Sequence, residues 1–364
     1  MRIILLMHLK YLYNNIIISR GIFLELRKLQ MVGNASFSVT LPPDWIKEYK
    51  LKPKDQITIT KETDGSLRLV PGITRAAKEI KITIDADRCK NPRILMRLII
   101  GGYNRGCDII EIVSKHGISE NHRKEINDAT ANLMGMGIVE STSNRVMLQS
   151  VVDPSRFPVG PILKRFYKLV SSMNQDALRA LEDRDTSLAT SVIQRENEVD
   201  NIYWLMGRQI LIATSDRNVL KKIDLKGMPD VALHLLIFPR IKSVSDYDVD
   251  IANNLLVLAK NRASEADLQK IIRLGKMAHK AFSNACEAFF NVDVMLANDA
   301  VESFKPLGEM KDKLLKDLCP RIKHADLAMR YSNIIRDFRG IAAHAKFIAE
   351  VTIDQSTTEK SNLP

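Results

Sequence analysis

From Pro158 onward the sequence is almost wholly helical in pattern, and part of that pattern occurs twice. Three helices are predicted at about 159–182, 186–214 and 229–260, and three more at about 264–290, 293–320 and 325–352. The segment DTSLATSVI at 185–193 is echoed by DVMLANDAV at 293–301, a shift of 108 residues. We therefore expect two tandem three-helix bundles, over residues 158–260 and 264–352.

Near the N-terminus, the segment SFSVTLPP alternates strictly and then stops at two prolines. Phe37 and Val39 share one face, which is the period of a half-buried strand. Pro42 and Pro43 cannot continue a strand ladder, but they suit the first turn of a helix. With the flanking strand patterns ELRKLQMV, QITI and SLRLV, the order β-turn-β-helix-β-hairpin-β is predicted over residues 25–72. So small a unit hardly closes a core alone, and we expect it to dimerise by exchanging strands.

Between these regions, residues 73–152 alternate strand and helix patterns. The pattern predicts a strand at KITID, a helix opening at Asn91-Pro92, a strand at IIEIV, a second helix within ISENHRKEINDATANLMGMGIVE, and a closing strand at RVMLQSVV. The glycines of IIGGYNRGCD follow a predicted helix, so they do not form the strand-to-helix phosphate loop of nucleotide-binding proteins. We expect a small α/β module that serves as a linker or faces a partner. The predicted fold class is thus multidomain α+β.

The charge is concentrated toward the N-terminal end. The chain carries a formal charge of +11, with 11 Lys/Arg against 6 Asp/Glu in residues 1–72 and 31 against 28 in residues 151–364. Apolar residues make up 45% of the chain and charged residues 27%, which excludes a disordered or fibrous protein. The basic excess favours an anionic partner for the N-terminal unit.

Cysteine usage and the chain ends bear on localisation. The four cysteines form no CxxC pair, so they predict neither a zinc ribbon nor a disulfide framework and favour the reduced cytoplasm. Residues 1–24 are apolar, but polar residues break them into runs too short to span a bilayer. We expect an extension outside the folded domains, with a weak interfacial helix as the alternative, and no membrane insertion. Residues 353–364 are expected to form a disordered tail.

Residues 25–72 resemble the AbrB/SpoVT swapped-hairpin family, in which a basic first strand, an alternating strand ending in LP, a short helix and an L-x-x-G/K-D turn follow one another. The resemblance implies an intertwined dimeric β-barrel that binds DNA. Lys54 stands where a glycine is common before Asp55. Carried over by position, the implied DNA-binding residues are Arg27, Lys28, Asn34, Lys47, Lys50, Lys52 and Lys54. The alternatives are a solvated basic surface and a protein-binding module of the same fold.

Residues 158–352 resemble PhoU, the phosphate-uptake regulator, whose tandem three-helix repeats each carry E/DxxxD motifs. Segments similar to that family's third-helix motif occur in KSVSDYDVDIANN and RGIAAHAKFIAE. AbrB-like domains joined to PhoU-like repeats are known from archaea. In the first repeat, a site for a divalent cation or iron is possible on Glu196, Asp200, Asp246 and Asp250. A solvated or salt-bridged acidic face is the favoured interpretation.

The sequence departs from the metal-binding pattern of that family at several positions. The glutamate of the third-helix motif is Lys242 in the first repeat and Arg339 in the second. By the repeat shift, Glu196 and Asp200 correspond to Phe304 and Gly308. A metal cluster is therefore not expected in the second repeat.

Three functional hypotheses follow, and none is an enzyme, because no Ser/His/Asp order, HExxH motif or nucleotide loop is present. The leading one is a cytoplasmic, homodimeric transcriptional regulator of phosphate homeostasis whose N-terminal unit binds DNA. The second is a signalling adaptor that docks on a phosphate transporter or sensor and uses that unit only to dimerise. A metal-storing or metal-sensing bundle is the third.

Overall fold

A computed structural model describes residues 25–61, 65–72, 79–258, 265–322 and 324–357. The chain divides into two compact units, Met1–Lys78 and Glu79–Pro364. The predicted extension over residues 1–24 lies outside the described residues, as do residues 358–364 of the predicted tail. Within the described ranges, no helix is both long enough and apolar enough to cross a bilayer.

The first unit consists of two separate hairpins and one short helix. Its elements are β1 Gln30–Val32, β2 Ser36–Ser38, α1 Pro43–Glu48, β3 Ile57–Lys61 and β4 Leu67–Pro71. The strands β1 and β2 pair antiparallel, as do β3 and β4, and these described strands do not close a barrel within one chain. In the described residues of this unit no side chain is fully buried. Large apolar side chains such as Met31, Phe37 and Leu67 are all more than 60% exposed.

The first strand is shorter than predicted. Residues 25–29 are not in a strand, so Arg27 and Lys28 precede β1 instead of lying on it. The register sets Gln30 opposite Ser38, so the next partners along β2 would soon reach the prolines at 42 and 43. Because proline cannot donate to a ladder, this edge cannot be extended far within one chain.

The second unit begins with a four-stranded sheet. Its elements are β5 Lys81–Asp85, α2 Ile94–Asn104, β6 Ile109–Val113, α3 Glu120–Ala131, β7 Met136–Ser141 and β8 Arg145–Ser150, with sheet order β5-β6-β8-β7. Only the β5–β6 pair in this sheet is parallel. The segment predicted as the second helix also contains a strand: α3 ends at Ala131, and β7 begins directly after Gly135, whose φ of +78° suits glycine. Leu95, Ile99 and Ile110 are among the buried core residues.

The rest of the second unit is helical. The first repeat contains α4 Val159–Asp183, α5 Thr186–Gln194, α6 Glu196–Ala213, α7 Arg217–Lys222 and α8 Met228–Leu258. The second contains α9 Glu265–Asn291, α10 Val294–Glu302, α11 Phe304–Leu318 and α12 Ala325–Ser356. Helix α12 therefore continues four residues beyond the expected boundary at residue 352.

The 108-residue shift is visible in the backbone. Arg184 and Val292, which are 108 apart, both have left-handed conformations, with φ of +57° and +54°. Each is followed by an aspartate, Asp185 or Asp293, whose carboxylate accepts backbone N–H groups and caps the next helix. The two repeats thus begin their second helices in the same way.

The second helix of each repeat, predicted as one piece, is broken into two. The breaks fall at Arg195 and Ser303, again 108 residues apart. Arg195 Nε donates to the Ser191 carbonyl at 3.4 Å, and Ser303 Oγ donates to the Ala300 carbonyl at 2.7 Å. Both residues keep right-handed helical backbone angles, so each break is a local interruption between two consecutive helical segments.

The long helices of the two repeats share one apolar core. Helices α4, α8, α9 and α12 pack against one another, and their buried side chains form a single cluster. Glycines allow the closest approaches: a Cβ on Gly340 would lie 2.4 Å from the Tyr247 ring, and one on Gly275 would lie 2.4 Å from Leu178. The repeats are therefore parts of one folded body.

Helix α6 holds the sheet module to the helices through Arg208, whose side chain is 2% exposed. Its Nη1 donates to the carbonyls of Tyr103 at 2.7 Å and Cys107 at 2.9 Å, and Nη2 lies 3.4 Å from an Asp108 carboxylate oxygen. Tyr103 is in the last turn of α2, where carbonyls lack helical partners and favour a cation. Trp204, one turn earlier on α6, packs against the module core.

We expect Arg208→Met to lower the free energy of unfolding of the full chain by about 2 to 4 kcal/mol, because buried carbonyls lose a charged donor. Urea unfolding followed by circular dichroism measures this. Arg165→Met is the matched control, since Arg165 on α4 is 73% exposed, and it should change stability by less than about 0.5 kcal/mol. Equal unfolding midpoints for the two variants would contradict the assigned role of Arg208.

Candidate functional site

Four of the predicted DNA-binding residues lie close together in the first unit. Lys47 is in the last turn of α1, while Lys50, Lys52 and Lys54 occupy the loop between α1 and β3. All four side chains are exposed. Asn34, also exposed, lies in the turn between β1 and β2. The structure thus gathers the lysines into one basic loop, here called the lysine loop (residues 47–54).

Two lysines of the lysine loop have left-handed backbone conformations. Lys50 has φ +52° and directly follows the C-cap of α1, where the N–H of Lys50 bonds to the Lys47 carbonyl and that of Leu51 to the Ile46 carbonyl. This pattern of bonds is the Schellman motif, whose left-handed position usually carries glycine. Lys54 has φ +79°, which explains why glycine is common at that position in the similar family.

Arg27 is already engaged within the chain. Its guanidinium contacts the carboxylate of Glu25, and its side chain is 34% exposed. Lys28 is exposed.

The four predicted metal ligands lie near one another, but Lys242 lies among them. Its ammonium is 3.0 Å from an Asp200 carboxylate oxygen and also contacts Asp246 on its own helix. The Lys242 side chain is only 14% exposed. Glu196, Asp200, Asp246 and Asp250 are close enough to influence one another electrostatically.

Burial and the neighbouring charges both shift the pKa values in this cluster. Burial raises the pKa of Glu196, Lys242 lowers it, and the surrounding aspartates raise it further. Burial alone would lower the pKa of Lys242, but its contacts with Asp246 and Asp200 outweigh burial, so the pKa is raised. The lysine therefore stays charged and balances part of the acidic cluster.

These residues fit an internal ion pair better than a metal ion. Among the described residues, no group of three or more His, Cys, Asp or Glu side chains is arranged to hold a metal. A divalent cation needs several oxygens around an open position, and in the first repeat the Lys242 ammonium contacts two of the four candidate ligands, Asp200 and Asp246.

A polar chain that the sequence did not reveal joins three of the long helices. Asn174 donates to Asp248 at 2.5 Å, and its side-chain oxygen lies 2.7 Å from Nδ1 of His279. Asp248 is fully buried, and burial raises its pKa well above the usual value. The three residues come from α4, α8 and α9, so no spacing in the sequence connects them. Asp337 on α12 is another largely buried acid, with one carboxylate oxygen that has no partner.

Two family models match the chain. The PhoU domain model matches residues 163–255 and 271–352, and the model for antidote-toxin recognition MazE, bacterial antitoxin, matches residues 30–76. The chain is a fusion of a MazE/AbrB-like domain with a PhoU domain. The lysine loop lies in the MazE-like domain, and the acidic cluster around Lys242 lies in the first PhoU segment. The sheet module over residues 79–152 lies in neither.

Individual relatives match the PhoU region. The phosphate-specific transport system accessory protein PhoU homolog 1 of Thermotoga maritima is 24% identical over 189 residues, which are 51% of this chain and 80% of that protein. The crystal structure of PhoU from Pseudomonas aeruginosa aligns with TM-score 0.49 and 17% identity, covering 55% of this chain and 96% of that one. The regulatory protein PhoU from Streptococcus pneumoniae gives the same score and identity, covering 56% and 96%.

The PhoU domain should show a pH-dependent stability that Asp337 controls. Burial, together with the nearby Asp250 carboxylate, raises the pKa of Asp337 to about 7. The folded state then binds more protons than the unfolded state between about pH 4 and pH 7. Its stabilising contribution is present below about pH 4 and is lost as the pH rises through about 7.

We expect Asp337→Asn to unfold at a higher temperature than the wild type at pH 8, with a smaller difference at pH 5. Thermal unfolding of the full chain across this range measures the effect. Asp354→Asn, an exposed position on the same helix, is the control and should follow the wild type. A constant difference at all pH values would show that Asp337 does not titrate in this range.

Proposed function

We propose that this protein is a DNA-binding regulator of phosphate uptake that acts by binding and not by catalysis. In this proposal the MazE/AbrB-like unit contacts DNA as a dimer, and the PhoU domain senses or relays phosphate status. The observation that carries it is the presence of both domains in one chain. The name of the Thermotoga relative, an accessory protein of a phosphate-specific transport system, supports the phosphate connection.

The surface of the first unit supports dimerisation. A unit with no fully buried side chain among its described residues cannot be stabilised by its own core. Four of its apolar side chains, Met31, Phe37, Ile59 and Leu67, are more than 60% exposed. A second copy of the same unit, with exchanged strands, would cover these side chains and could extend the short strand β1.

The lysine loop supports contact with an anionic polymer. Its exposed ammonium groups can reach phosphate oxygens, which need cations but little other chemistry. Lys50 and Lys54 have left-handed backbone conformations, which are more strained for a residue with a side chain than for glycine. Strained backbone conformations are concentrated at functional sites, which favours a binding role for these two side chains.

A second candidate function is a signalling adaptor that docks its PhoU domain on a phosphate transporter or sensor. The observation that favours it is the exposed apolar surface of the first unit, because dimerisation alone would account for that surface without DNA. The two candidates differ in whether the lysine loop binds DNA.

Fluorescence anisotropy with the full protein separates them. The probes are a duplex from upstream of its own coding region and a scrambled duplex of equal length, measured over a salt series. The regulator predicts selective binding that weakens steeply with salt, since each neutralised phosphate contributes a slope of about −0.9 in a log–log plot. Arg27→Ala/Lys28→Ala should reduce binding, while size-exclusion chromatography shows an unchanged dimer. A dimer without selective binding at low salt would favour the adaptor.

Glycine substitutions in the lysine loop distinguish a loss of DNA contacts from a loss of folding stability. Lys54→Gly and Lys50→Gly should each raise the stability of the first unit by about 1 kcal/mol, because the left-handed strain is relieved. We expect the same variants to bind DNA more weakly with a smaller salt slope. Lys52→Ala removes one charge without relieving left-handed strain and is the matched control. Stabilised variants with unchanged DNA affinity would remove the lysine loop from the interface.

A further inference from the structure

The acidic cluster of the first repeat has a structural counterpart in the second. Arg195 and Ser303, 108 residues apart, both mark the break in the second helix of their repeats. The residues that follow each break are therefore equivalent, and Glu196 and Asp200 correspond to Phe304 and Gly308. On the third helices, Lys242 corresponds to Arg339 through the shared motif. The two positions can be compared directly.

In the first repeat, α8 brings a cation to the acidic side chains of α6. The Lys242 ammonium lies 3.0 Å from Asp200, contacts Asp246, and lowers the pKa of Glu196 through its charge. Since the Lys242 side chain is 14% exposed, its charge is only weakly screened by solvent.

In the second repeat, α12 brings a cation to the equivalent positions of α11. The Arg339 guanidinium carbon lies 3.0 Å from the centre of the Phe304 ring, which is a cation–π contact. Arg339 also passes close to Gly308, since a Cβ at that position would lie 3.4 Å from Arg339 Nε, in van der Waals contact. Arg339 thus faces an aromatic ring and a glycine at the positions where the first repeat has two carboxylates.

Both repeats therefore place a basic side chain where their second and third helices face each other. A divalent metal ion and a basic side chain can each neutralise acidic groups at such a position, but the two cannot occupy it at once. The aromatic ring at position 304 can face a cation of the protein, yet it supplies no oxygen ligand for a metal.

We infer that the PhoU domain of this protein carries its own cations, Lys242 in the first repeat and Arg339 in the second, in the places where the acidic helix pattern would otherwise hold metal ions. Its two repeats are therefore assembled without a bound metal. This inference is independent of the proposed function, because it concerns the contacts between the second and third helices of each repeat.

The test measures metal binding by the full protein after dialysis against EDTA. Mn²⁺ is titrated with metal analysis for stoichiometry, and thermal unfolding is recorded with and without the ion. For the wild type we expect no stoichiometric binding and no shift in unfolding temperature. Stoichiometric binding by the wild type that is lost in Glu196→Gln/Asp200→Asn would overturn the inference.

A gain-of-binding variant tests the position of the lysine. Lys242→Glu exchanges the resident cation for a further carboxylate among four others, so we expect it to bind about one Mn²⁺ per chain and to unfold at a higher temperature when Mn²⁺ is added. Arg339→Glu is the matched control and should gain no binding, because Phe304 and Gly308 offer no oxygens. A folded Lys242→Glu protein without Mn²⁺ affinity would contradict the inference. If that variant does not fold, Lys242→Met and the wild-type titration carry the test, with Mn²⁺ affinity expected only in Lys242→Met.

Discussion

The second unit depends on the apolar core that its two helical repeats share. Helices α4, α8, α9 and α12 contribute buried side chains to one continuous cluster, and each fully buried Leu, Ile or Phe stabilises the fold by roughly 1.5 to 3 kcal/mol. The long helices of each repeat pack both against each other and against those of the other repeat. The glycines at 275 and 340 matter because backbone and side chain meet there at distances that leave no space for a methyl group.

Basic side chains lie at the contacts between the elements around this core. Arg208 joins the sheet module to α6 by donating to carbonyls in the last turn of α2 and in the loop that follows it, while Lys242 and Arg339 lie between the second and third helices of their repeats. In each case a long basic side chain spans two elements and keeps its charge close to oxygens or an aromatic ring. Removing one partner of such a pair costs more than the pair itself contributes, because the remaining group stays buried without compensation.

The first unit differs from the second because none of its described side chains is fully buried. Its strands have the alternation of half-buried strands, yet in a single chain the apolar faces are exposed. Hydrophobic burial there requires a second molecule, so its folding and its assembly are expected to be one event. Placing a DNA-binding surface on such a unit would link DNA affinity to the concentration of the protein.

The sequence alone determined the order of the domains, the positions of most helices and the 108-residue repeat, because these depend on local periodicity and on capping residues such as Asp185 and Asp293. It also indicated which acidic residues would come together, since Glu196 and Asp200 are one turn apart on a single helix. Only the tertiary structure decided that Lys242 contacts Asp200 and Asp246, that Arg208 joins the sheet module to the helices, and that Asn174, Asp248 and His279 form one hydrogen-bonded chain. These contacts join residues from different helices. Their geometry depends on how the helices pack, which local patterns do not encode.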